Sequence, residues 1–205
     1  EKALEKLATL PYENLDFAKI DHHRSLRNGM PEGIYCQGKT VAQLKKIIKS
    51  MSLAGQPILG TKLDKENFRK LKPALPKNSQ YNELSQTLVI EKNKSSKKSG
   101  LITIISAGTS DIPIAEEASI TAQLLGSQTE TIFDVGVAGI HRLFNNLEQI
   151  RKANVVIVVA GMEGALASVV GGLLDNPIIA VPTSIGYGAS FGGIAALLTM
   201  LNSCA

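Results

Sequence analysis

Four short apolar runs, rich in β-branched residues, alternate with helical patterns over the second half of the chain. The apolar runs cover residues 101–106, 129–135, 154–160 and 177–182. They show almost no polar alternation, which is typical of parallel strands that are covered on both faces. The helical patterns cover residues 112–126, 139–152, 164–174 and 190–202. This repeat predicts an α/β domain whose parallel sheet has right-handed crossovers and helices on both faces.

The first half of the chain predicts a small α+β domain over residues 1–91. Its helical patterns are Glu1 to Leu10, Thr40 to Leu53 and Asp64–Leu71. Its strand candidates are Leu15–Ile20, Gly33–Gln37, Pro57–Leu59 and Tyr81–Ile90. The helix at 40–53 is the clearest element, because Thr40 and Gln43 fit a capping box. Residues 92–100 are polar and rich in lysine, so we interpret them as a linker or hairpin between the domains.

The two halves of the chain differ in charge. Residues 1–100 contain 19 Lys and Arg against 10 Asp and Glu, whereas residues 101–205 contain 3 against 8. This asymmetry indicates that the halves differ in task or partner, and the basic half is the better source of groups that hold phosphates or other anions. A basic surface that is merely well solvated explains the same composition.

The two cysteines, Cys36 and Cys204, are too few for a disulfide framework and lack metal-ligand spacing, so we expect a reducing, cytoplasmic setting. No signal peptide is visible, and we expect both ends to have been trimmed, because the first residue is not Met and the chain stops just after a helical pattern. The apolar span Val155–Leu174 has the length of a membrane helix. Because Gly161 and Glu163 interrupt its centre, we expect a strand, a turn and a helix there, and no membrane partner.

The first candidate site is the loop that ends the sequence LITIISAGTSD at residues 101–111. Its small and hydroxyl residues offer backbone N–H groups and hydroxyls for binding an anion: Ser106, Ala107, Gly108, Thr109 and Ser110. A helix follows directly, with Asp111 and Pro113 at its start, and helix N-termini favour anions. In open α/β sheets, ligands bind beyond the carboxyl ends of the strands. We therefore expect a ligand at this loop.

A second loop would lie beside the first if the first strand of the sheet is central. In the strand order 2-1-3-4-5, the loops after the first and third strands diverge around a crevice. This places residues 106–111 beside residues 161–164. Asp111 and Glu163 would then divide acid and base roles, or hold Mg²⁺ between them and a phosphate. The alternative is that Asp111 only caps its helix and Glu163 lies favourably at a helix N-terminus.

Two further segments could face the same edge of the sheet. The loop at 183–193 has four glycines and three Ser or Thr residues, so its backbone can approach a ligand closely. It is not a GxGxxG fingerprint, and the chain has no Walker motif, so a standard dinucleotide or P-loop site is not predicted. His141 and Arg142 begin the helix after the second strand, although such a pair is more often a surface feature.

The first domain offers its own candidates for anion binding. His22, His23, Arg24 and Arg27 crowd one short loop, and Lys39 follows a segment flanked by glycines. The guanidinium of Arg is well suited to holding phosphate or carboxylate. The spacing does not distinguish such a site from a salt-bridge cluster at a domain interface.

Several motifs together resemble a known family. The SAGTSD loop, the GIHR stretch at 139–142 and the segment VAGMEGALASVVGGL at 159–173 resemble the core of the purine-pathway aminoimidazole ribonucleotide (AIR) carboxylases. The sequences RNGMPEGIYCQGKT at 27–40 and PTSIGYGASFGGIAALLTMLNSCA at 182–205 are closer to the LarB-type carboxylases of nickel-pincer cofactor biosynthesis. The resemblance implies a flavodoxin-like/Rossmann-like three-layer αβα domain at 101–205, preceded by the small α+β domain.

The resemblance also implies an activity. The family adds CO₂ to the pyridinium ring of nicotinic acid adenine dinucleotide and cleaves the phosphoanhydride, which gives pyridinium-3,5-biscarboxylic acid mononucleotide and AMP. By its position alone, Cys204 reads as an inert core cysteine, because a helix C-terminus opposes a thiolate. The resemblance instead makes Cys204 the nucleophile that adds to the ring, with Asp111 and Glu163 as the other catalytic residues. CO₂ or bicarbonate is the co-substrate, and Mg²⁺ is the expected cofactor.

The residues expected to bind substrate are those of the loops described above and of the basic first domain. They are Ser106, Gly108, Thr109, Ser110, His141, Arg142, Gly161, Met162, Gly188, Arg24, Arg27 and Lys39. The dinucleotide, or NAD as its analogue, is the expected small-molecule partner. A homo-oligomer is also expected, and an octamer if the chain follows the purine relatives.

Two other functions stay open. A purine-type ribonucleotide carboxylase or mutase would need no thiol, but Met162, Glu163 and the absence of histidine from that turn argue against a purine substrate. A nucleotide-binding module without catalysis is the other alternative. We do not expect nucleic-acid binding through the lysines at 92–98, which would show a steep salt dependence.

Overall fold

The computed structural model describes residues 12–91 and 98–205 and divides the chain into two compact units, with the boundary between Ser96 and Lys97. The helix expected at Glu1 to Leu10 lies outside the described residues, and so do residues 92–97 of the expected linker.

The first unit is a small mixed α+β domain. Its elements are β1 (Glu13–Asn14), β2 (Lys19–Ile20), α1 (Arg24–Asn28), β3 (Gly33–Tyr35), α2 (Val41–Leu53), β4 (Ile58–Thr61), α3 (Lys65–Leu71), β5 (Ser79–Asn82) and β6 (Thr87–Ile90). A four-stranded sheet has the order β3-β4-β6-β5, in which only the β3–β4 pair is parallel. Strands β1 and β2 pair separately as an antiparallel ribbon.

Helix α2 confirms the clearest expectation for this unit. The Thr40 hydroxyl accepts a hydrogen bond from Gln43 N, and the Gln43 side chain accepts one from Thr40 N, which completes a capping box. The side chains that share one face of the helix are buried in the core: Leu44, Ile47, Ile48 and Met51. The helix therefore forms because local capping and the apolar stripe agree.

Two strands expected in this unit are wrong. The strand expected at 81–90 is part of a β-hairpin over residues 79–90, because Gln86 adopts a φ of 54° and the Asn82 side chain accepts a hydrogen bond from Ser85 N. The expected strand at 15–20 is instead the β1–β2 turn and ribbon, with Asp16 at a φ of 66°. Both turns reverse a run whose apolar residues suggested a continuous strand.

The second unit has the expected parallel sheet. Its elements are β7 (Leu101–Ser106), α4 (Ile112–Leu124), β8 (Gln128–Ile132), α5 (Ile140–Phe144), α6 (Leu147–Ile150), β9 (Val155–Ala160), α7 (Ala165–Leu173), β10 (Ile178–Pro182) and α8 (Ile194–Leu201). The order is β10-β9-β7-β8, and every pair is parallel. The flavodoxin-like α/β fold class is confirmed, with β7 as an inner strand.

The sheet is packed on both faces, but not equally. One face, with Ile105, Val156 and Val158, is packed against residues of α5, α6 and α7. The other face, with Ile104 and Val159, is packed against α4. At the β10 edge this second face is open, since Ile179 is 53% exposed. This layering holds the carboxyl ends of four parallel strands at one edge, where the loops described below meet.

Two expected helices have different bounds. The helix expected at 139–152 is broken into α5 and α6, and between them the Asn146 side chain donates to Arg142 O. The helix expected at 190–202 begins only at Ile194, because Phe191 and Gly192 have positive φ in an irregular 3₁₀ segment. Within the ranges that the structure describes, no helix is long and apolar enough to cross a membrane. The apolar span at 155–174 is strand β9, a turn and helix α7.

Candidate functional site

The loop after β7 carries a buried carboxylate. A 3₁₀ turn at Thr109–Asp111 leads into α4, and Asp111 is only 3% exposed, whereas Thr109 and Ser110 are exposed. The Asp111 side chain accepts a hydrogen bond from Gly108 N at 3.0 Å. This hydrogen bond is the local capping interaction that was the alternative expectation for Asp111. It uses only one of the two carboxylate oxygens.

The second oxygen of Asp111 joins this loop to the loop after β10. Thr183 Oγ1 donates to Asp111 Oδ1 at 2.7 Å, and Thr183 is itself buried. A buried carboxylate needs such partners, because leaving it unpaired would be costly. The Thr183 side chain is the main site residue that sequence reasoning missed. Its place directly after β10, at the carboxyl edge of the sheet, is the signal that could have identified it.

The loop after β9 is joined to the same cluster. Met162 N donates to Ile185 O at 2.7 Å, and an added Cβ on Gly161 would lie 2.2 Å from the same oxygen. Only glycine therefore fits at 161. Met162 has a φ of 55°, a strained value for a side-chain-bearing residue and one that is often seen at functional sites. The loops at 106–111 and 161–164 are thus brought together through residues 183–185, as the strand order predicts.

Glu163 lies on this loop but is exposed. The expectation of a functional Glu163 drew on the rarity of buried unpaired acids, and that reasoning does not apply to an exposed carboxylate. What supports a role for Glu163 is its position next to Met162 at the carboxyl edge of the sheet.

The loop after β8 is organised by an ion pair. Arg142 donates to Asp134 at 2.5 Å and to Gly139 O, and Asp134 N donates to the buried hydroxyl of Ser106 at 3.3 Å. Asp134 has a φ of 60° and was not singled out from the sequence. Arg142 is therefore held by its own loop, whereas His141 is exposed. Ser106 is fully buried and has its hydroxyl turned to the Asp134 backbone.

The glycine-rich loop at 183–193 is largely exposed around Gly188. Gly188 has a φ of 60°, which side-chain-bearing residues rarely adopt, and an added Cβ would meet nothing within 4 Å. The neighbouring rings of Tyr187 and Phe191 are also exposed. This part of the loop can approach a ligand, as its composition predicts.

Cys204 lies away from Asp111 within one chain. Helix α8 starts beside the carboxyl-edge loops, where Ala196 contacts Gly164, and it carries the chain about 12 Å away over its eight residues. Beyond it, Ser203 bonds Ser168 in the middle of α7. The exposed Cys204 thiol opens onto a cavity of about 540 Å³. The other residues that line this cavity are Ser168, Leu198, Thr199, Asn202, Ser203 and Ala205.

The other cysteine has the opposite environment. Cys36 is buried in the core of the first unit, and burial raises the pKa of its thiol to about 11. A thiol of that kind is protonated at neutral pH and unreactive. Of the two cysteines, only Cys204 is exposed to a ligand.

The basic candidates of the first unit differ in how they are held. The guanidinium of Arg27 makes two hydrogen bonds to Asp21 and lowers the pKa of that carboxyl. Lys39 donates to Tyr35 O at 2.6 Å. Arg24 has a buried Nε that lacks a hydrogen-bond partner among the residues the structure describes. Of the three cations, Arg24 therefore has the most unused capacity for an anion.

The described parts of the chain contain no group of three His, Cys, Asp or Glu side chains that could hold a metal ion. Mg²⁺ is often bound through one or two carboxylates together with phosphates and water. The side chains of residues 12–91 and 98–205 thus do not form a site that would hold the ion without the phosphates of a substrate.

The fold and its loops define an α/β protein of the AIR carboxylase class. Residues 101–205 match the AIR carboxylase family, and residues 12–93 match the LarB/PurE-like N-terminal domain. The chain belongs to the LarB-type family, with a PurE-like core, which confirms the resemblance seen in the sequence and makes it a carboxylase-type protein.

Two proteins from Methanocaldococcus jannaschii are similar to this chain. An uncharacterised protein is 43% identical over 195 residues, which cover 91% of this chain and 74% of that protein. The N5-carboxyaminoimidazole ribonucleotide mutase is 37% identical over 102 residues, which cover 48% of this chain and 60% of the mutase. The first likeness extends through both units, whereas the second has the length of one unit.

Proposed function

We propose that this chain carboxylates the pyridinium ring of nicotinic acid adenine dinucleotide and cleaves its phosphoanhydride, as a step of nickel-pincer cofactor biosynthesis. The observation that carries the proposal is an exposed thiol, Cys204, on the AIR carboxylase unit of a chain that also has the LarB/PurE-like N-terminal domain. The thiol separates this proposal from a carboxylase that needs none, because only the pyridinium reaction uses it as a nucleophile.

The proposed chemistry begins with the Cys204 thiolate. Its sulfur forms a bond to a ring carbon, and the electron pair displaced from the ring reaches the nitrogen and neutralises its charge. The resulting enamine attacks CO₂ through a ring carbon. A base then removes the proton from that carbon, and departure of the thiolate restores the aromatic pyridinium. Separately, water attacks one phosphorus of the phosphoanhydride, which releases AMP and the mononucleotide.

The other residues take roles that suit their positions. Asp111 is the buried carboxylate at the carboxyl edge, and we assign proton removal or the orientation of water to Asp111 and Glu163. The exposed backbone and hydroxyl groups of Thr109 and Ser110 are suited to phosphate. Mg²⁺ would screen phosphate charge when bound.

This proposal requires more than one copy of the chain. With α8 in the position that the structure shows, Cys204 and Asp111 of one chain lie apart, so a reaction that uses both needs Cys204 of one copy near the loops of another. We therefore propose a homo-oligomer in which the two groups come from different copies.

The test uses intact-protein mass spectrometry and turnover with bicarbonate and nicotinic acid adenine dinucleotide, with and without added Mg²⁺. We expect Cys204→Ala to lose the substrate adduct and nearly all turnover, since no other group replaces the nucleophile. The matched control is Cys36→Ser, which removes the buried thiol and should leave the adduct unchanged. Iodoacetamide should modify Cys204 and spare Cys36 in the folded protein.

A purine-type ribonucleotide carboxylase or mutase is the second candidate, favoured by the 37% identity to the mutase. Turnover of an aminoimidazole ribonucleotide that survives Cys204→Ala would support it and contradict the pyridinium reaction. Tight dinucleotide binding without any product would instead support a binding module.

A further inference from the structure

We propose that Thr183 is a positioning residue, whose hydroxyl fixes the Asp111 carboxylate for the reaction and links it to the turn that carries Glu163. This inference rests on the proposed function, because it concerns how the catalytic carboxylate is held. Thr183 would act through Asp111 and not by touching the substrate.

The hydrogen bonds around Thr183 have a definite direction. Ile185 N donates to Thr183 Oγ1 at 3.4 Å, and Thr183 Oγ1 donates to Asp111 Oδ1 at 2.7 Å. A backbone N–H cannot accept, so the hydroxyl proton is left to point at the carboxylate. With Gly108 N on the other oxygen, both oxygens of Asp111 are held by donors. The orientation of the carboxylate is thereby fixed.

The backbone of Ile185 connects Asp111 to the loop after β9. The Ile185 carbonyl accepts from Met162 N at 2.7 Å, while the Ile185 N–H donates to Thr183. Glu163 follows Met162 directly, so one network of hydrogen bonds joins the loops that carry both acids. Loss of the Thr183 hydroxyl would loosen Asp111 and the Met162 turn together.

Thr183 is well placed for this role because a strand anchors it. It follows Pro182, the last residue of β10, and its N–H donates to Ala160 O at the end of β9. A side chain at a strand end is more rigid than one in the middle of a loop, and rigid support is what a catalytic carboxylate needs.

The experiment compares Thr183→Val, which keeps the shape and removes the hydroxyl, with Thr183→Ser, which keeps the hydroxyl. In Thr183→Val we expect kcat for the dinucleotide to fall about 10- to 100-fold, the usual effect of removing a supporting hydrogen bond, with KM changed about threefold or less. Thr183→Ser should keep kcat within about threefold of the wild type.

Thr103→Val is the matched control. Thr103 is fully buried in β7, and its hydroxyl has no hydrogen-bond partner among the residues the structure describes. The same chemical change in the same unit therefore breaks no bond, and we expect wild-type kcat. A loss of kcat in Thr103→Val equal to that in Thr183→Val would overturn the inference, because the effect would then be general.

A second measurement does not depend on the substrate. Hydrogen exchange at the amides of Gly108 and Met162 should become at least about tenfold faster in Thr183→Val, and stay unchanged in Thr183→Ser and Thr103→Val. Unchanged exchange in Thr183→Val, or wild-type kcat in that variant, overturns the inference. If the wild-type protein does not turn over the dinucleotide, the proposed function fails. The exchange rates then decide alone whether Thr183 holds Asp111.

Discussion

At the scale of single residues, the site depends on a glycine that allows two loops to touch. An added Cβ on Gly161 would lie 2.2 Å from Ile185 O and 2.7 Å from Thr183 Oγ1, far closer than atoms can approach. We expect Gly161→Ala to displace residues 183–185 and lower the free energy of unfolding by about 1–3 kcal/mol, as overpacking usually does. Urea unfolding of the variant and wild type measures this difference.

Gly172→Ala is the control for that prediction. Gly172 lies in α7, and an added Cβ there would meet nothing within 4 Å. Because alanine is favoured over glycine in a helix by about 1 kcal/mol, this variant should be as stable as the wild type or more so. Equal destabilisation by both substitutions would show that the contact with Ile185 O is not what requires glycine.

The residues of the site were only partly predictable. Asp111 was predicted because it stands after a strand and before a helix, which is a local pattern. Its bond to Thr183 spans 72 residues and could not be read from spacing. The ion pair of Arg142 with Asp134 was missed for a similar reason, since it depends on Asp134 taking a positive φ. The apolar pattern predicts where a strand ends. Which side chains bond to one another at that end depends on the order of the strands in the sheet.

At the scale of elements, the Glu13 carboxylate bonds the two-residue strand β1 to helix α2. Glu13 accepts a hydrogen bond from the Ser50 hydroxyl at 2.6 Å and pairs with His22 Nε2 at 3.1 Å. Chiefly the Ser50 bond, and next the His22 bond, lower the pKa of Glu13 from its ordinary value of 4.5. A lowered pKa means that the folded state favours the carboxylate more than the unfolded state does.

This shift predicts a stability that depends on pH. The contribution of Glu13 to the free energy of unfolding is fully present above pH 4.5. It is lost as the pH falls below 4.5 and through the lower pKa of the folded state. We expect Glu13→Gln to be less stable than the wild type at pH 7, and the difference to shrink at pH 3. Urea unfolding at both values measures it, with Glu148→Gln, a change of an exposed carboxylate, as the control. A difference that stays constant between the two values would contradict the prediction.

The elements themselves were predictable where local signals and burial agree. The βα order followed from apolar runs that need covering on both faces, whereas the inner position of β7 was a condition taken from the strand order 2-1-3-4-5. The break between α5 and α6 was not predictable from periodicity, because the apolar pattern continues past Asn145 and Asn146. At the break, the Asn146 side chain donates a hydrogen bond to Arg142 O. The hairpin at 79–90 was missed likewise, since its turn depends on Gln86 adopting an unusual φ. Periodicity reports which face is buried and says little about where the backbone turns.

At the scale of the whole molecule, the second unit leaves apolar side chains exposed that a stable association would cover. Ile194, Leu198 and Leu201 lie on one face of α8 at helical spacing and are 54%, 52% and 72% exposed. We call these three residues the α8 surface. A group of exposed apolar residues of this kind is typical of an interaction site. A second copy of the chain is the occupant we propose, because the proposed reaction needs Cys204 and Asp111 to come from different copies.

Leu201→Asp tests this association, since a carboxylate in an apolar interface would be desolvated without a partner. We expect light scattering to find an oligomer for the wild type and a smaller species for Leu201→Asp. Leu125→Asp, at an exposed leucine after α4 and outside the α8 surface, should keep the wild-type mass. Because dissociation would separate Cys204 from the loops of the other copy, Leu201→Asp should also lose turnover while its helical circular dichroism is retained. Turnover that persists in a monomeric Leu201→Asp would show that one copy completes the site by itself, and it would require Cys204 to reach Asp111 by a movement of α8.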